Sequence, residues 1–319
     1  MPKVSVIVPN YNYAPYLPQR MRTILAQTLD DVEVIYLDDG STDESPEVVA
    51  EFAGDPRVCV LRNETNSGNP FVQWNRGLRL CRGQYVWIAE ADDYADPRLL
   101  ERLTGVLDAH PRVDVAYCQS WLVDEHGTVL GTNAPYTAAL DAERWTRDYI
   151  GDGREECRRW LVLMNTIPNA SAVVFRRAAA EHAGGADESY RLAGDWQFWA
   201  KLLTRGDVAF VHEPLNYYRR HPRTVRAVTE RDGIFVEEWA RVVAWITENV
   251  AFEPDELRRV RETFLRVWAA HRHEIPWSRH RRIYHWAKRL DPNVEWDVVR
   301  LGVGKLLRLP RRWRRPRAA

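Results

Sequence analysis

The stretch YVWIAEADDY, residues 85–94, ends an apolar run with three carboxylates, Glu90, Asp92 and Asp93. Like charges this close are costly unless a cation or solvent compensates them. Mg²⁺ and Mn²⁺ are hard cations that proteins bind through one or two carboxylates together with substrate phosphates. We therefore interpret Glu90 and Asp92 as metal ligands beside a diphosphate site. The alternative is a solvated acidic loop before a helix, whose N-terminus favours negative charge.

Asp39 is a further acidic residue that could contact a ligand. Asp38 and Asp39 follow the apolar run VEVIYL and precede Gly40, which indicates a turn. We expect hydrogen bonds to bury Asp38, and Asp39 to face the crevice and accept a hydrogen bond from a base or ribose; a structural role in the turn is the alternative. Asp195 opens the helical pattern DWQFWAKLLTRG, where an N-cap role would contribute about 1 kcal/mol.

The first hundred residues alternate between strand and helix patterns. Apolar runs predict strands at 3–9, 32–39, 58–62 and 85–92, and helical periodicity predicts helices at 15–27, 44–53, 70–82 and 97–109. This order is typical of an α/β fold with a Rossmann-like, mostly parallel central sheet flanked by helices. Ligands bind beyond the carboxyl ends of such strands, so the polar residues that follow each strand should meet in one crevice.

The pattern changes after about residue 112. An antiparallel pair is predicted around a turn at His126-Gly127, further strands at 169–177 and 208–221, and helices beyond about 229. The chain also contains 14 tryptophans, more than a minimal core needs, and we expect some of them to line a groove.

Composition and missing motifs disfavour several classes of protein. The 319 residues are 45% hydrophobic and 28% charged, which indicates a folded globular chain. Four widely spaced cysteines without a C-x-x-C pair favour a reduced, cytoplasmic protein. Neither G-x-x-x-x-G-K-[ST] nor G-x-G-x-x-G is present, which disfavours an ATPase or a Rossmann dehydrogenase. We expect no signal peptide and no membrane-spanning segment, since no run reaches about 18 apolar residues.

The end of the sequence is strongly basic. No acidic residue follows Asp297, whereas eight Lys or Arg residues lie between positions 300 and 317. A solvated tail and peripheral contact with the anionic inner face of the plasma membrane are equally weighted interpretations. Nucleic acid is disfavoured as a partner, because the basic block is terminal and the rest of the chain is net acidic.

The motifs VSVIVPNYN, VEVIYLDDGSTD, an Asn-rich stretch with Asn75-Arg76-Gly77, and GQYVWIAEADD occur here in sequence. In this order and spacing they resemble the nucleotide-binding half of family 2 glycosyltransferases of the GT-A fold. The resemblance covers 3 to about 110 and continues more weakly to about 226 through SAVVFRR, AGDWQFWAKL and YYRRHPRTVR.

The resemblance implies a GT-A domain over 1–226, with a nucleotide-sugar half (1–112), a smaller mixed acceptor and catalytic half (113–226), and a helical C-terminal extension with the basic tail (227–319). It also implies roles for individual residues. The implied donor contacts are Pro9, Tyr11, Asn12, Asp39, Asn66 and Asp92, and the implied ligands of Mn²⁺ or Mg²⁺ are Glu90, Asp92 and His221. Asp195 would be the general base of an inverting transfer.

The implied reaction moves a sugar from a UDP, GDP or dTDP donor to a hydroxyl of a glycan or lipid-linked acceptor, in cell-surface polysaccharide synthesis. Two positions depart from the family pattern: Glu90 replaces the first Asp of the D-x-D motif, and Trp74 replaces an Arg. A sugar-phosphate nucleotidylyltransferase and a non-catalytic nucleotide-sugar binding protein are the alternative functions.

Overall fold

The computed structural model describes residues 1–222, 224, 230, 232–291 and 294. Within them, one mixed sheet of ten strands forms the centre of the molecule, with hydrophobic clusters on both of its faces. The strands are β1 (Val4–Asn10), β2 (Val32–Asp38), β3 (Val58–Arg62), β4 (Tyr85–Ile88), β5 (Tyr94–Ala95), β6 (Val113–Val123), β7 (Val129–Thr132), β8 (Tyr149–Gly151), β9 (Val173–Arg176) and β10 (Asp207–Arg219).

Helices connect these strands and then continue beyond the last of them. They are α1 (Leu17–Leu25), α2 (Ser45–Ala50), α3 (Pro70–Leu80), α4 (Leu99–Ala109), α5 (Ala134–Ala138), α6 (Gly153–Glu156), α7 (Arg177–His182), α8 (Gly194–Leu203), α9 (Ile234–Asn249), α10 (Pro254–Ala270) and α11 (Trp277–Leu290). Short helical turns lie at Arg144–Thr146, Cys157–Leu161 and Ala170–Ala172.

The first four strands form the parallel part of the sheet, in the order β3-β2-β1-β4. β1, β2 and β4 are buried along their whole length because both faces of the sheet are covered, which explains why their sequences are apolar throughout. The predicted α/β class is confirmed. β4 ends at Ile88, earlier than the predicted 92, so residues 90–93 lie in a turn before β5.

The second half of the chain extends the same sheet. The turn predicted at His126-Gly127 is confirmed, because β6 pairs antiparallel with β7 and Gly127 has a left-handed φ of 87°. β9 lies antiparallel between β4 and β6, and β10 runs parallel to β6. β10 therefore ends beside the acidic turn, where the backbone N–H of Arg219 donates to the Asp93 carboxylate at 2.8 Å.

The C-terminal helices α9, α10 and α11 pack on one another around a hydrophobic cluster of their own. α9 also packs on α8, with the rings of Trp239 and Trp196 stacked 6.3 Å apart. The predicted helical C-terminal region is confirmed over 234–290, whereas the basic tail lies outside the described residues. No helix in the described ranges is both long enough and apolar enough to cross a bilayer.

Candidate active site

The turn after β4 brings Asp92 next to His221, which follows β10. Asp92 Oδ2 and His221 Nε2 are 3.0 Å apart, and the His221 side chain is almost fully buried. The rings of Tyr13 and Tyr16 pack against the imidazole, with centroids 5.6 Å and 4.9 Å away. These rings hold the imidazole beside the carboxylate.

Asp93 and Arg219 fix the backbone of this turn. The Asp93 carboxylate accepts from Asn169 Nδ2 at 3.0 Å and from the Arg219 backbone. The Arg219 guanidinium donates to the carbonyl of Asp92 at 2.7 Å and to Gln19 Oε1 at 2.6 Å. Asp93 therefore holds the turn in place, while Asp92 faces the cleft described below.

Glu90 contacts Trp74, and both of these residues depart from the family pattern. The Glu90 carboxylate accepts a hydrogen bond from Trp74 Nε1 at 2.9 Å. Burial, together with the negative charge of Asp92, raises the pKa of Glu90 to about 8. Burial and Asp92 likewise raise the pKa of Asp93 to about 6. The buried guanidinium of Arg20, stacked over the Trp87 ring at 4.7 Å, opposes both increases.

Asp39 lies in a closed hydrogen-bond network and is only 4% exposed. Oδ1 accepts from Asn63 Nδ2 at 2.7 Å, from Gln73 Nε2 at 2.6 Å and from the Ser67 backbone at 3.0 Å, while Oδ2 accepts from Ser67 Oγ at 2.6 Å. Donors from the β3–α3 region therefore surround the Asp39 carboxylate, and its contact with a base or ribose stays a prediction. Oδ2 accepts one of these four hydrogen bonds, and a carboxylate oxygen can accept two.

The other candidate donor contacts lie on the loops around β1 and β3. Pro9 is buried within β1, whereas Tyr11 is 41% exposed. Asn12 has a left-handed φ of 60°, and its Oδ1 accepts from the Thr42 backbone at 2.8 Å. Asn66 Oδ1 accepts from the Gly68 backbone at 2.6 Å. Asn12 therefore joins two of the loops expected to hold the nucleotide.

Asp195 lies in the first turn of α8, and the N-cap of this helix is Ala193. The N-cap interpretation of Asp195 is therefore wrong, because the helix already begins at Gly194. Its Oδ1 accepts from the Trp196 backbone at 2.6 Å, and its Oδ2 accepts from Asn165 Nδ2 at 3.1 Å. Sequence analysis did not find Asn165, since no local pattern connects it to a residue 30 positions later.

A cleft of about 660 Å³ brings Asp195 together with Glu90 and Asp92. Part of its wall comes from α9 and α10, through Trp239, Arg259 and other side chains. The large number of tryptophans in the sequence predicted a groove lined by some of them. Trp74, Trp196 and Trp239 line this cleft. The remaining candidate residues, Pro9, Tyr11, Asn12, Asp39, Asn66 and His221, are not among the described residues that line this cleft.

Asp92 and His221 have donor atoms suited to a divalent cation, a carboxylate oxygen and an imidazole nitrogen 3.0 Å apart. In the described part of the chain, no three His, Cys, Asp or Glu side chains form a complete metal site. A cation held by this pair would take its remaining ligands from substrate phosphates and water.

The fold and the acidic cleft define a GT-A type transferase scaffold. The sequence model described as Glycosyl transferase family 2 matches residues 5–181, more than half of the chain. The protein belongs to glycosyltransferase family 2. It is 34% identical over 232 residues to the uncharacterized glycosyltransferase EpsJ of Bacillus subtilis, covering 72% of this chain and 64% of that protein. A Nostoc relative, the uncharacterized glycosyltransferase alr2836, is 27% identical over 228 residues, covering 69% and 65%. The match thus spans slightly less than two thirds of these relatives' lengths.

Solved structures share the fold. S. aureus TarS 1–349 in complex with UDP-GlcNAc superposes with a TM-score of 0.71 at 18% identity, covering 92% of this chain and 83% of that one. The mannosyltransferase PcManGT from Pyrobaculum calidifontis, in complex with GDP-Man and Mn²⁺, gives a TM-score of 0.58 at 19% identity, covering 98% and 82%.

Proposed function

We propose that the protein is an inverting, metal-dependent glycosyltransferase. It would move a sugar from a nucleoside-diphosphate sugar to a hydroxyl of a glycan or lipid-linked acceptor in cell-surface polysaccharide synthesis. The observation that carries this proposal is the cleft in which the Asp195 carboxylate shares one space with Glu90 and Asp92, with His221 against Asp92. Membership of glycosyltransferase family 2 supports the reaction class.

Asp195 would act as the general base. The acceptor oxygen forms a bond to the anomeric carbon, the bond from that carbon to the diphosphate oxygen breaks, and the acceptor proton passes to Asp195. Asn165 and the Trp196 backbone hold the two carboxylate oxygens, which fixes the orientation of the base before the acceptor arrives. Since the attack displaces the diphosphate directly, the configuration of the sugar inverts.

Glu90, Asp92 and His221 would hold Mn²⁺ or Mg²⁺, with Glu90 and Asp92 in the same turn. The bound cation would stabilise negative charge on the departing diphosphate. Trp74 Nε1 donates to one oxygen of Glu90 and would keep this carboxylate oriented.

The donor would bind along the loops that follow β1, β2 and β3, through Pro9, Tyr11, Asn12, Asp39 and Asn66, and reach Asp92 with its diphosphate. Residues 1–112 would form this donor half and 113–226 the acceptor half, with 227–319 as an extension. UDP, GDP and dTDP are the candidate nucleotides. Two solved structures of the same fold are complexes with UDP-GlcNAc and with GDP-Man, which supports a nucleotide-sugar donor for this protein.

The acceptor would occupy the part of the cleft walled by α9 and α10. Trp239 and Phe235 line it, and aromatic faces suit the apolar faces of sugar rings. The basic tail, outside the described residues, would place the enzyme on the inner face of the plasma membrane. Sedimentation with anionic liposomes tests this, and equal binding after truncation at Asp297 would exclude the tail as the membrane contact.

A thermal-shift screen tests the donor proposal. UDP, GDP and dTDP, each with its common sugars, are compared in Mn²⁺ and in EDTA, because a ligand that binds only the folded state raises the melting temperature. We expect one diphosphate to raise it in Mn²⁺ alone. No rise with any nucleotide, in protein that melts cooperatively, would refute the proposed donor class.

A further inference from the structure

Glu238, on α9, accepts three consecutive backbone hydrogen bonds from the segment before α8. Its Oε1 accepts from the Arg191 backbone N–H at 2.7 Å, and its Oε2 accepts from those of Leu192 and Ala193, both at 2.8 Å. The side chain is 3% exposed. A carboxylate that accepts backbone N–H groups in a buried position makes strong, geometrically specific hydrogen bonds.

This carboxylate lies at a helix end that lacks its own cap. The N-cap of α8 is Ala193, which has no side-chain acceptor for the free N–H groups of the first turn. The N-terminus of a helix also carries partial positive charge, which a nearby carboxylate stabilises. From 45 residues away, Glu238 therefore holds the N-cap residue Ala193 and the two residues before it, while the first-turn N–H of Trp196 bonds to the Asp195 carboxylate.

The segment fixed by Glu238 lies directly before the candidate base. Arg191, Leu192 and Ala193 line the same cleft as Asp195, which is two positions beyond Ala193. α9 contacts α8 a second time on the far side of Asp195, where Trp239 stacks on Trp196 with a ring angle of 28°. The two contacts bracket Asp195 along the chain.

We propose that Glu238 is a positioning residue for glycosyl transfer, which holds the Asp195 helix in register with the cleft through residues 191–193. The proposal rests on the proposed role of Asp195 as base. It assigns part of the working active site to a helix beyond residues 5–181, the range that the family model matches. A displacement of about 1 Å at a reacting group can lower a rate about 100-fold.

Glu238→Gln removes the positioning with a small change of shape. Both carboxylate oxygens accept backbone N–H groups, so the amide nitrogen of Gln faces an N–H in either orientation. Glu237→Gln is the matched control, since Glu237 is the preceding residue and instead accepts from Arg279 at 2.6 Å and Arg282 at 2.7 Å within the C-terminal helices.

The assay is release of nucleoside diphosphate from UDP-GlcNAc and from GDP-mannose in Mn²⁺, with water as acceptor. We expect Glu238→Gln to lower kcat about 10- to 100-fold at unchanged donor KM, and Glu237→Gln to stay within about twofold of wild type. Amide hydrogen exchange at 191–193 should accelerate in Glu238→Gln alone.

Two results would overturn the inference, and they differ from failure of the proposed function. Equal kcat in Glu238→Gln and Glu237→Gln, with wild-type release that Asp195→Asn abolishes, would show that Glu238 stabilises only the fold. A loss confined to donor KM would place Glu238 in donor binding instead. Absence of release by wild type from both UDP-GlcNAc and GDP-mannose would refute the proposed function with these donors, and the positioning role with it.

Discussion

Replacing Asp195 by Asn removes the proton acceptor while it nearly conserves the shape of the side chain. In the structure Oδ1 accepts from the Trp196 backbone and Oδ2 accepts from Asn165 Nδ2, so the Asn variant can keep only one of these hydrogen bonds. One lost hydrogen bond costs about 1 kcal/mol, which lowers the melting temperature of a chain of this size by about 2 °C. The fold should therefore survive.

Turnover should respond far more strongly than stability. A positioned general base typically accelerates a reaction 10²- to 10⁴-fold, which corresponds to about 2.7–5.5 kcal/mol of activation free energy. We expect the rate at which Asp195→Asn releases nucleoside diphosphate to decrease by a factor within this range. The thermal shift produced by the donor should be retained. Asn165→Ala, which removes only the orienting hydrogen bond, should lower turnover about 10-fold.

Turnover by Asp195→Asn at the wild-type rate would refute the role of Asp195 as general base. A parallel loss of donor binding and turnover would refute it too, because a base that acts on the acceptor should not hold the nucleotide. Circular dichroism and the melting temperature of each variant establish that the comparison is between folded proteins.

Three further predictions concern the buried acids of the acidic turn, the candidate metal site and the cysteines. Because burial raises the folded pKa values of Glu90 and Asp93 to about 8 and about 6, the neutral acids stabilise the metal-free protein at low pH. This stability is lost as pH rises through those values, so the melting temperature in EDTA should fall from pH 5 to pH 8. Glu90→Gln should flatten the fall, and an unchanged slope would contradict the assignment. His221→Ala should reduce the nucleotide thermal shift measured in Mn²⁺, and a shift equal to that of wild type would remove His221 from the metal site. Maleimide should modify Cys59 in the native protein and leave the three buried cysteines unmodified, as mass spectrometry of the digest would show.

The parallel half of the sheet was predictable because its signals are local. β1, β2 and β4 are buried on both faces, and such strands are continuous apolar runs that a single sequence reveals. The position of β9 between β4 and β6 was not predictable, since it depends on pairing between strands almost ninety residues apart. Local patterns contain no information about such pairings.

The site shows the same division between local and distant signals. The acidic turn at 90–93 was found because it follows an apolar strand, whereas the role of Asp195 in its helix was misread. An Asp at the start of a helical pattern resembles a cap, and the acceptor that stabilises this helix end is Glu238, 45 residues beyond Ala193. Glu90 and Trp74 were each noted as departures from the family pattern, but only the structure shows that they form a hydrogen bond.

The order of strands in the sheet also constrains how the chain can fold during synthesis. β4 pairs with β9, so the backbone edge of β4 stays open until about residue 176 has left the ribosome. At roughly 5–20 residues per second, the 88 residues that follow Ile88 up to Arg176 take about 4–18 s to make. During that interval an apolar, unpaired strand edge is exposed, and such edges are templates for aggregation. A nascent chain of this protein should therefore depend on chaperones in that window, and the first 112 residues expressed alone should be insoluble.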